Sequence, residues 1–284
     1  MPEMQKMFHK ILVPVDFSFR SIKAAEKAVA TAAAYHCSVT LLHVVARHPF
    51  ATVALTEGHL HVPYDLIDNR QELEFQLAKL VDKAVQKAPS PVSVSTSIVW
   101  GQWDDAVIKY VRNHSIDCVM VGQRSRFKRK RHMLLNPDKI ADATNVPVIT
   151  LPVNKKMIGI KSIVIPVTDF FPIRKLLYGL YIATQNDASI ELLAVEQEQN
   201  SEVTDYYLKK SADWLLQHGG IVKVTRVQRN NISAAVTDFA NEHGTDLLIL
   251  NPGLQTTMPG WWSSFLGNII QKYSLPPVMT VNPA

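Results

Sequence analysis

The residues best placed to do chemistry fall in two stretches. In KILVPVDFS, Asp16 follows an apolar β-branched run. In VGQRSRFKRKRHMLLNPDKIA, Gly122 closes a second such run, and six cations follow between residues 124 and 131: Arg124, Arg126, Lys128, Arg129, Lys130 and Arg131. Cations at this density can clamp phosphates without help from backbone N–H groups. They can also form a patch for nucleic acid or anionic headgroups, or keep a loop solvated. Only Phe127 interleaves the run, so stacking on bases is disfavoured. Asn136-Pro137-Asp138 reads as a helix start, with Asn136 as N-cap, Pro137 at the first helical position and Asp138 in the first turn.

Other candidates carry less. EGHLHVPYD offers Glu57, His59, His61 and Asp65. An HxH pair with a nearby acid can bind zinc, but without further ligands it reads as a polar loop, and no metal site is expected. Trp261 and Trp262 lie in a loop rich in Gly, Pro, Ser and Thr, where one can anchor the loop on the core or both can line a ligand or partner surface. Ser18 follows Asp16 without an evident base. No GxSxG, Walker A or Cys–His nucleophile pattern occurs, so no enzyme activity is expected, weak nucleotide hydrolysis aside. Cys37 and Cys118 are far apart and form no CxxC pattern, which fits a reducing cytoplasm. No apolar run reaches the length of a membrane span, and the N-terminal MPEMQKMFHK lacks a signal-peptide core. The net charge of +5 permits anionic partners without requiring them.

The elements that position these residues repeat. KILVPVDFSFRS is echoed by KSIVIPVTDFFPI, SVTLLHVV by SIELLAVE, DDAVIKYVRNHSIDCVMVG by ISAAVTDFANEHGTDLLILN, and NVPVITLPV by LPPVMTVN. The four echoes keep their order, so the chain reads as a tandem duplication: domains over 1–153 and 161–284, joined by a linker over 154–160. Within each half, apolar strands alternate with helical stretches. Helices are expected near 21–35, 66–88, 104–114 and 137–143, the second with Leu73, Leu77, Leu80, Val81, Ala84 and Val85 on its buried stripe. Such alternation predicts an α/β fold with a parallel sheet covered on both faces. Ligands of such sheets bind beyond the carboxyl ends of the strands, which puts Asp16 and the 122–136 loop on one edge.

KILVPVDFS, LLHVV, DCVMVG and VPVITL, repeated as IVIPVTD, LLAVE, DLLILNPG and PPVMTV, together resemble the universal stress protein (UspA-like) family in its tandem two-domain form. The resemblance implies two doubly wound, five-stranded domains of the adenine nucleotide alpha hydrolase-like fold, paired internally through their fifth strands. Family members that bind ATP carry an acid after the first strand. They also carry a loop of glycine, two residues, glycine, nine residues, then glycine with serine or threonine. The glycines admit phosphate to the backbone, and the final pair opens a helix whose N-terminus favours anions.

By that pattern the first half's candidates are Pro14, Val15, Asp16, Val44, Gly122, Arg124, Ser125 and Asn136. Ser125 replaces the second glycine and Leu135–Asn136 the final pair. The second half's are Val167, Thr168, Asp169, Asn251, Gly253, Gly267 and Asn268. Thr168 takes the acid's place there, and a one-residue slip would turn Asp169 away if the strand continues. The expected protein is cytoplasmic and acts in stress adaptation by binding a small anionic ligand or a partner protein, with ATP sites degenerate in both halves. The alternatives are an ATP-binding sensor with weak turnover, with ATP as its cofactor, and a basic-loop binder of nucleic acid or anionic surfaces.

Overall fold

A computed structural model describes residues 6–45, 65–123, 135–196, 201–229, 231–252 and 275–283. The first half runs β1 (Lys10–Pro14), α1 (Phe19–Tyr35), β2 (Ser38–Val45), α2 (Asp65–Val85), β3 (Val94–Trp100), α3 (Trp103–Asn113), β4 (Cys118–Gly122), α4 (Pro137–Thr144) and β5 (Val148–Leu151). The second runs β6 (Ser162–Val167), α5 (Ile173–Asn186), β7 (Ser189–Glu196), α6 (Ser201–Gln217), β8 (Ile221–Gln228), α7 (Ile232–Glu242), β9 (Leu247–Leu250) and β10 (Val278–Thr280).

All ten strands form one sheet in the order β3-β2-β1-β4-β5-β10-β9-β6-β7-β8. Each half is parallel within itself. At the seam between the halves, β5 and β10 run antiparallel, with Ile149 opposite Met279. Two like-handed parallel halves related by a twofold can meet through equivalent strands only in this way. The pseudo-twofold axis therefore passes between those two residues.

The helices follow from local chemistry. Ser18 caps α1 by accepting the Ser21 N–H, and Ala24, Ala25, Ala28 and Ala32 are buried, so the helix lies close on the sheet. Alanines bring strong helix propensity to that interface. Asp117 and Asp246 play matching parts: each carboxylate accepts backbone N–H groups that open its half's first strand, His9 and Lys10 in one case, Lys161 and Ser162 in the other.

On one sheet face, α1, α2, α5 and α6 share a continuous apolar core that crosses from one half to the other. Phe8 packs there against Tyr178 at 5.9 Å and Tyr181 at 5.4 Å, and Asn186 donates to the Tyr35 hydroxyl at 2.6 Å. On the opposite face the core is divided, with α3 and α4 covering one half and α7 the other. The segment expected as a linker contributes Met157 and Ile160 to the shared core. The expected stripe of α2 holds at Leu77, Leu80 and Ala84, but Val85, the last residue of the helix, is exposed. Each half's first helix also grips the end of its own last strand. Lys27 donates to the carbonyls of Pro152 and Val153, and Arg174 to that of Asn282 at 3.1 Å. Among the described residues, no helix is long and apolar enough to cross a membrane.

Candidate functional site

In the first half, Pro14, Val15 and Val44 are buried and Asp16 is half-exposed. The turn after β1 takes Phe17 into the left-handed region at φ 56°. Asp16 closes that turn: its Oδ1 accepts the Ser18 N–H at 3.0 Å, and its own N–H donates to Ser21 Oγ at 3.3 Å. One carboxylate oxygen is thus committed to the loop, in the manner of an Asx turn.

Beside it lies His43, a residue that motif reasoning passed over although it is the one polar interruption in LLHVV. It is buried, with Nδ1 2.7 Å from the Val15 carbonyl, so the neutral ring carries its proton on Nδ1. Phe17 lies 4.8 Å and Trp103 5.9 Å from the imidazole, between ring centroids. Burial pushes its pKa down, against the opposing pull of the Val15 bond and the Asp16 charge.

The register that pairs Leu12 with Val119 brings Val15 level with Gly122. Here glycine is required by packing. A Cβ at 122 would lie 2.8 Å from the Arg20 carbonyl oxygen, so the start of α1 rests on the end of β4. Asn251 takes the corresponding place in the second half, where α5 begins seven residues after Pro166 and α1 only five after Pro14, leaving room for a side chain. Asn251 is buried and donates to the Val281 carbonyl at 2.8 Å.

The N-terminus of α4 is closed from within. Asn136 Oδ1 accepts the N–H groups of Asp138 and Lys139 at 3.1 and 3.4 Å. The N–H of Asn136 donates to Asp104 Oδ1 at 3.0 Å, and Lys139 Nζ reaches Asp105 at 2.8 Å. Pro137 offers no N–H. The donors that would meet a phosphate are therefore taken by an amide and a carboxylate of the chain itself, and Asp104 places negative charge where the helix dipole would draw an anion. Leu135 packs partly buried against the core under α3 and α4. The distance in sequence between Asp104 and Asn136 hid this contact from motif reading.

In the second half, Val167 is buried, Thr168 half-buried and Asp169 exposed. The strand stops at Val167, so strand alternation does not govern the direction of Asp169, which stands one residue past the acid's place. Beneath this edge lies a lysine. Lys175, in the first turn of α5, is fully buried, donates to the Pro166 carbonyl at 2.6 Å and lies 5.8 Å from the Phe170 ring centroid. Burial pushes its pKa down to about 7.

Arg124, Ser125, Arg126, Lys128, Arg129, Lys130, Arg131, Gly253, Trp261, Trp262, Gly267 and Asn268 lie outside the described residues, as do Glu57, His59 and His61. Asp65 opens α2. Among the described residues, no three His, Cys, Asp or Glu side chains gather to hold a metal ion.

Two doubly wound α/β units in one sheet place the chain in the class of open α/β folds, whose ligands bind beyond the carboxyl ends of the strands. More narrowly, the chain belongs to the universal stress protein family, whose sequence model matches residues 7–152, just over half of its length. It is 28% identical over 146 residues, 50% of the chain, to the universal stress protein YxiE of Bacillus subtilis (strain 168), covering 98% of that protein. Its fold is similar to that of a universal stress protein from Archaeoglobus fulgidus DSM 4304, with TM-score 0.69, 17% identity and 96% of each chain covered. It is also similar to a functionally unknown protein from Pseudomonas aeruginosa PAO1, with TM-score 0.59, 14% identity, and 98% of this chain and 94% of that one covered.

Proposed function

We propose that this chain is a tandem universal stress protein, with domains over 1–153 and 161–284, that serves stress adaptation in the cytoplasm by binding a ligand or partner and not by catalysis. Neither strand-end cleft keeps a complete ATP site. The observation that carries this reading is the closed N-terminus of α4, where Asn136 and Asp104 take the donors a phosphate would need. In the second half, Lys175 beneath the edge and Asn251 in the first glycine's place support the same conclusion. Family membership supports the stress-related binding role.

The alternative, an ATP-binding sensor with weak turnover, draws on Asp16, whose second carboxylate oxygen accepts no hydrogen bond from a described residue. Calorimetric titration of ATP into the wild type, Asp16→Ala and Asp104→Ala separates the two. The expected outcome is no binding at millimolar ATP to the wild type or Asp16→Ala, with any gain confined to Asp104→Ala. Wild-type binding that Asp16→Ala abolishes would establish the sensor instead.

A further inference from the structure

β3 and β8 are the outer strands of the sheet, and the register makes them equivalents. Val94 pairs with Val39 as Val222 pairs with Ile190, so Ser95, Thr96, Ser97, Ile98 and Trp100 stand where the second half has Lys223, Val224, Thr225, Arg226 and Gln228. An outer strand offers unpaired N–H and C=O groups to any strand that reaches it, and charge on the strand is a common guard against that. β8 has this guard in Lys223 and Arg226. β3, VSTSIVW, has no charged residue and no proline.

The unpaired groups of β3 can be named. The Val39 N–H donates to the Ser93 carbonyl and the Gly101 N–H to the Val45 carbonyl, so the odd-numbered residues turn their backbone groups towards β2. Val94, Thr96, Ile98 and Trp100 turn theirs outward, and no described residue bonds them. Their side chains share the sheet face that α2 covers. Val94 and Ile98 pack on the core beneath that helix, and Arg70 of α2 lies 5.7 Å from the Trp100 ring centroid. Trp100 is nonetheless 36% exposed. At the other end of the strand, a cleft of about 360 Å³ separates it from α2, lined by Val81, Asp82, Val85, Gln86, Val92 and Val94. Along this flank of α2, Phe75, Ala78, Asp82 and Val85 recur at spacings of three and four residues and are all exposed. Such a stripe is the pattern of a helix that packs along another helix.

We propose that this edge is a dimer interface, with β3 of a second copy pairing antiparallel about a twofold axis at Ser97. An axis there pairs all four outward residues with one another, so every unpaired N–H and C=O of the strand finds a partner. Val94 meets the partner's Trp100 and Thr96 the partner's Ile98, and cross-strand pairs of aromatic with β-branched residues are favourable. The indole that each copy exposes then lies at the mouth of the other's cleft, where Asp82 offers an acceptor for its N–H. Both α2 helices lie on one face of the joined sheet, with the Phe75 stripe of one beside that of the other. The occupant is a second copy because the exposed ring and the cleft that receives it belong to the same strand. β8 does not serve in the same way, since its pairing would gather Lys223 and Arg226 from both copies on one ladder. The interface uses no candidate residue of the strand-end clefts, so it stands whether or not ATP binds there.

Size-exclusion chromatography with light scattering, at micromolar concentration, reads the mass of the wild type, Thr96→Lys and Val224→Lys. The wild type is expected at twice the mass of the chain. Thr96 is exposed, so lysine there should leave the melting temperature of the fold in place. It sets two ammonium groups in the ladder and should raise the dimer dissociation constant roughly tenfold or more. Val224→Lys, the same change at the equivalent place on β8, should leave the mass unchanged. Ser97→Cys, oxidised in air and run on a non-reducing gel, locates the axis. In a non-hydrogen-bonded pair the two Cα atoms stand about 4.5 Å apart, within reach of a disulfide, and the native Cys37 and Cys118 are buried. A cross-linked dimer that a thiol reductant reverses is expected. A monomeric wild type, a dimer that survives Thr96→Lys or is lost with Val224→Lys, or a Ser97→Cys protein that stays uncross-linked would overturn the proposal.

Discussion

Replacing Lys175 by methionine should stabilise the protein at neutral and acid pH and not at alkaline pH. In the unfolded chain the amine titrates near 10.5, and in the folded protein burial brings it to about 7. Between those values the unfolded state holds a proton that the folded state lacks, so wild-type stability rises with pH by about 1.4 kcal/mol for each unit. Below pH 7 both states are protonated, and the folded state bears the whole cost, roughly 5 kcal/mol as an upper bound. Methionine removes that cost but abandons the Pro166 carbonyl, a loss of about 1 kcal/mol. The net expectation for Lys175→Met is a gain of roughly 4 kcal/mol at pH 6, falling through zero near pH 10. Urea unfolding of both proteins, followed by circular dichroism across that range, measures it. A gain of equal size at pH 6 and pH 10, or a loss at pH 6, would refute the assignment of a neutralised, buried amine.

Three further outcomes are expected. Gly122→Ala forces a Cβ against the Arg20 backbone at 2.8 Å and should cost about 1–3 kcal/mol in chemical denaturation; an unchanged midpoint would show that α1 can shift away. Phe8→Ala empties the aromatic cluster between Tyr178 and Tyr181 and should cost about 3–5 kcal/mol, and because the core is shared, both halves should unfold together in one calorimetric transition. His43, its pKa lowered by burial, should titrate by NMR below the ordinary 6.5. Below that value the unfolded chain takes up a proton that the folded one resists, so wild-type stability should decline with acidification more steeply than that of His43→Phe.

Much of the architecture is written in local pattern. Runs such as ILVPV and CVMVG are too short and too β-branched for helices and too continuously apolar for half-exposed strands, so they mark central strands. Their repetition marks the duplication, and Asn-Pro-Asp marks the start of α4 because capping is a property of adjacent residues. What pattern could not give depends on contacts across the fold. Asp104 reaches Asn136 only because α3 and α4 lie side by side, and no spacing rule joins them. No motif singles out Lys175, because its burial is set by where α5 begins, two residues later than α1 in relation to the preceding strand.

The place of β10 in the sheet has a consequence for biosynthesis. It is translated after the other nine described strands, yet it sits at the centre, between β5 and β9. Until it leaves the ribosome, the first half is complete except for an uncovered β5, and the second half lacks the strand that joins it to the first. Exposed edges of this kind pair with whatever strand is at hand, and the nearest equivalent is the β5 of a neighbouring nascent chain on the same message. A chain ending before residue 275, with Thr96→Lys to keep β3 apart, is therefore expected to elute in size-exclusion chromatography as a dimer joined β5 to β5, and a monomeric product would show that other elements guard that edge while translation finishes.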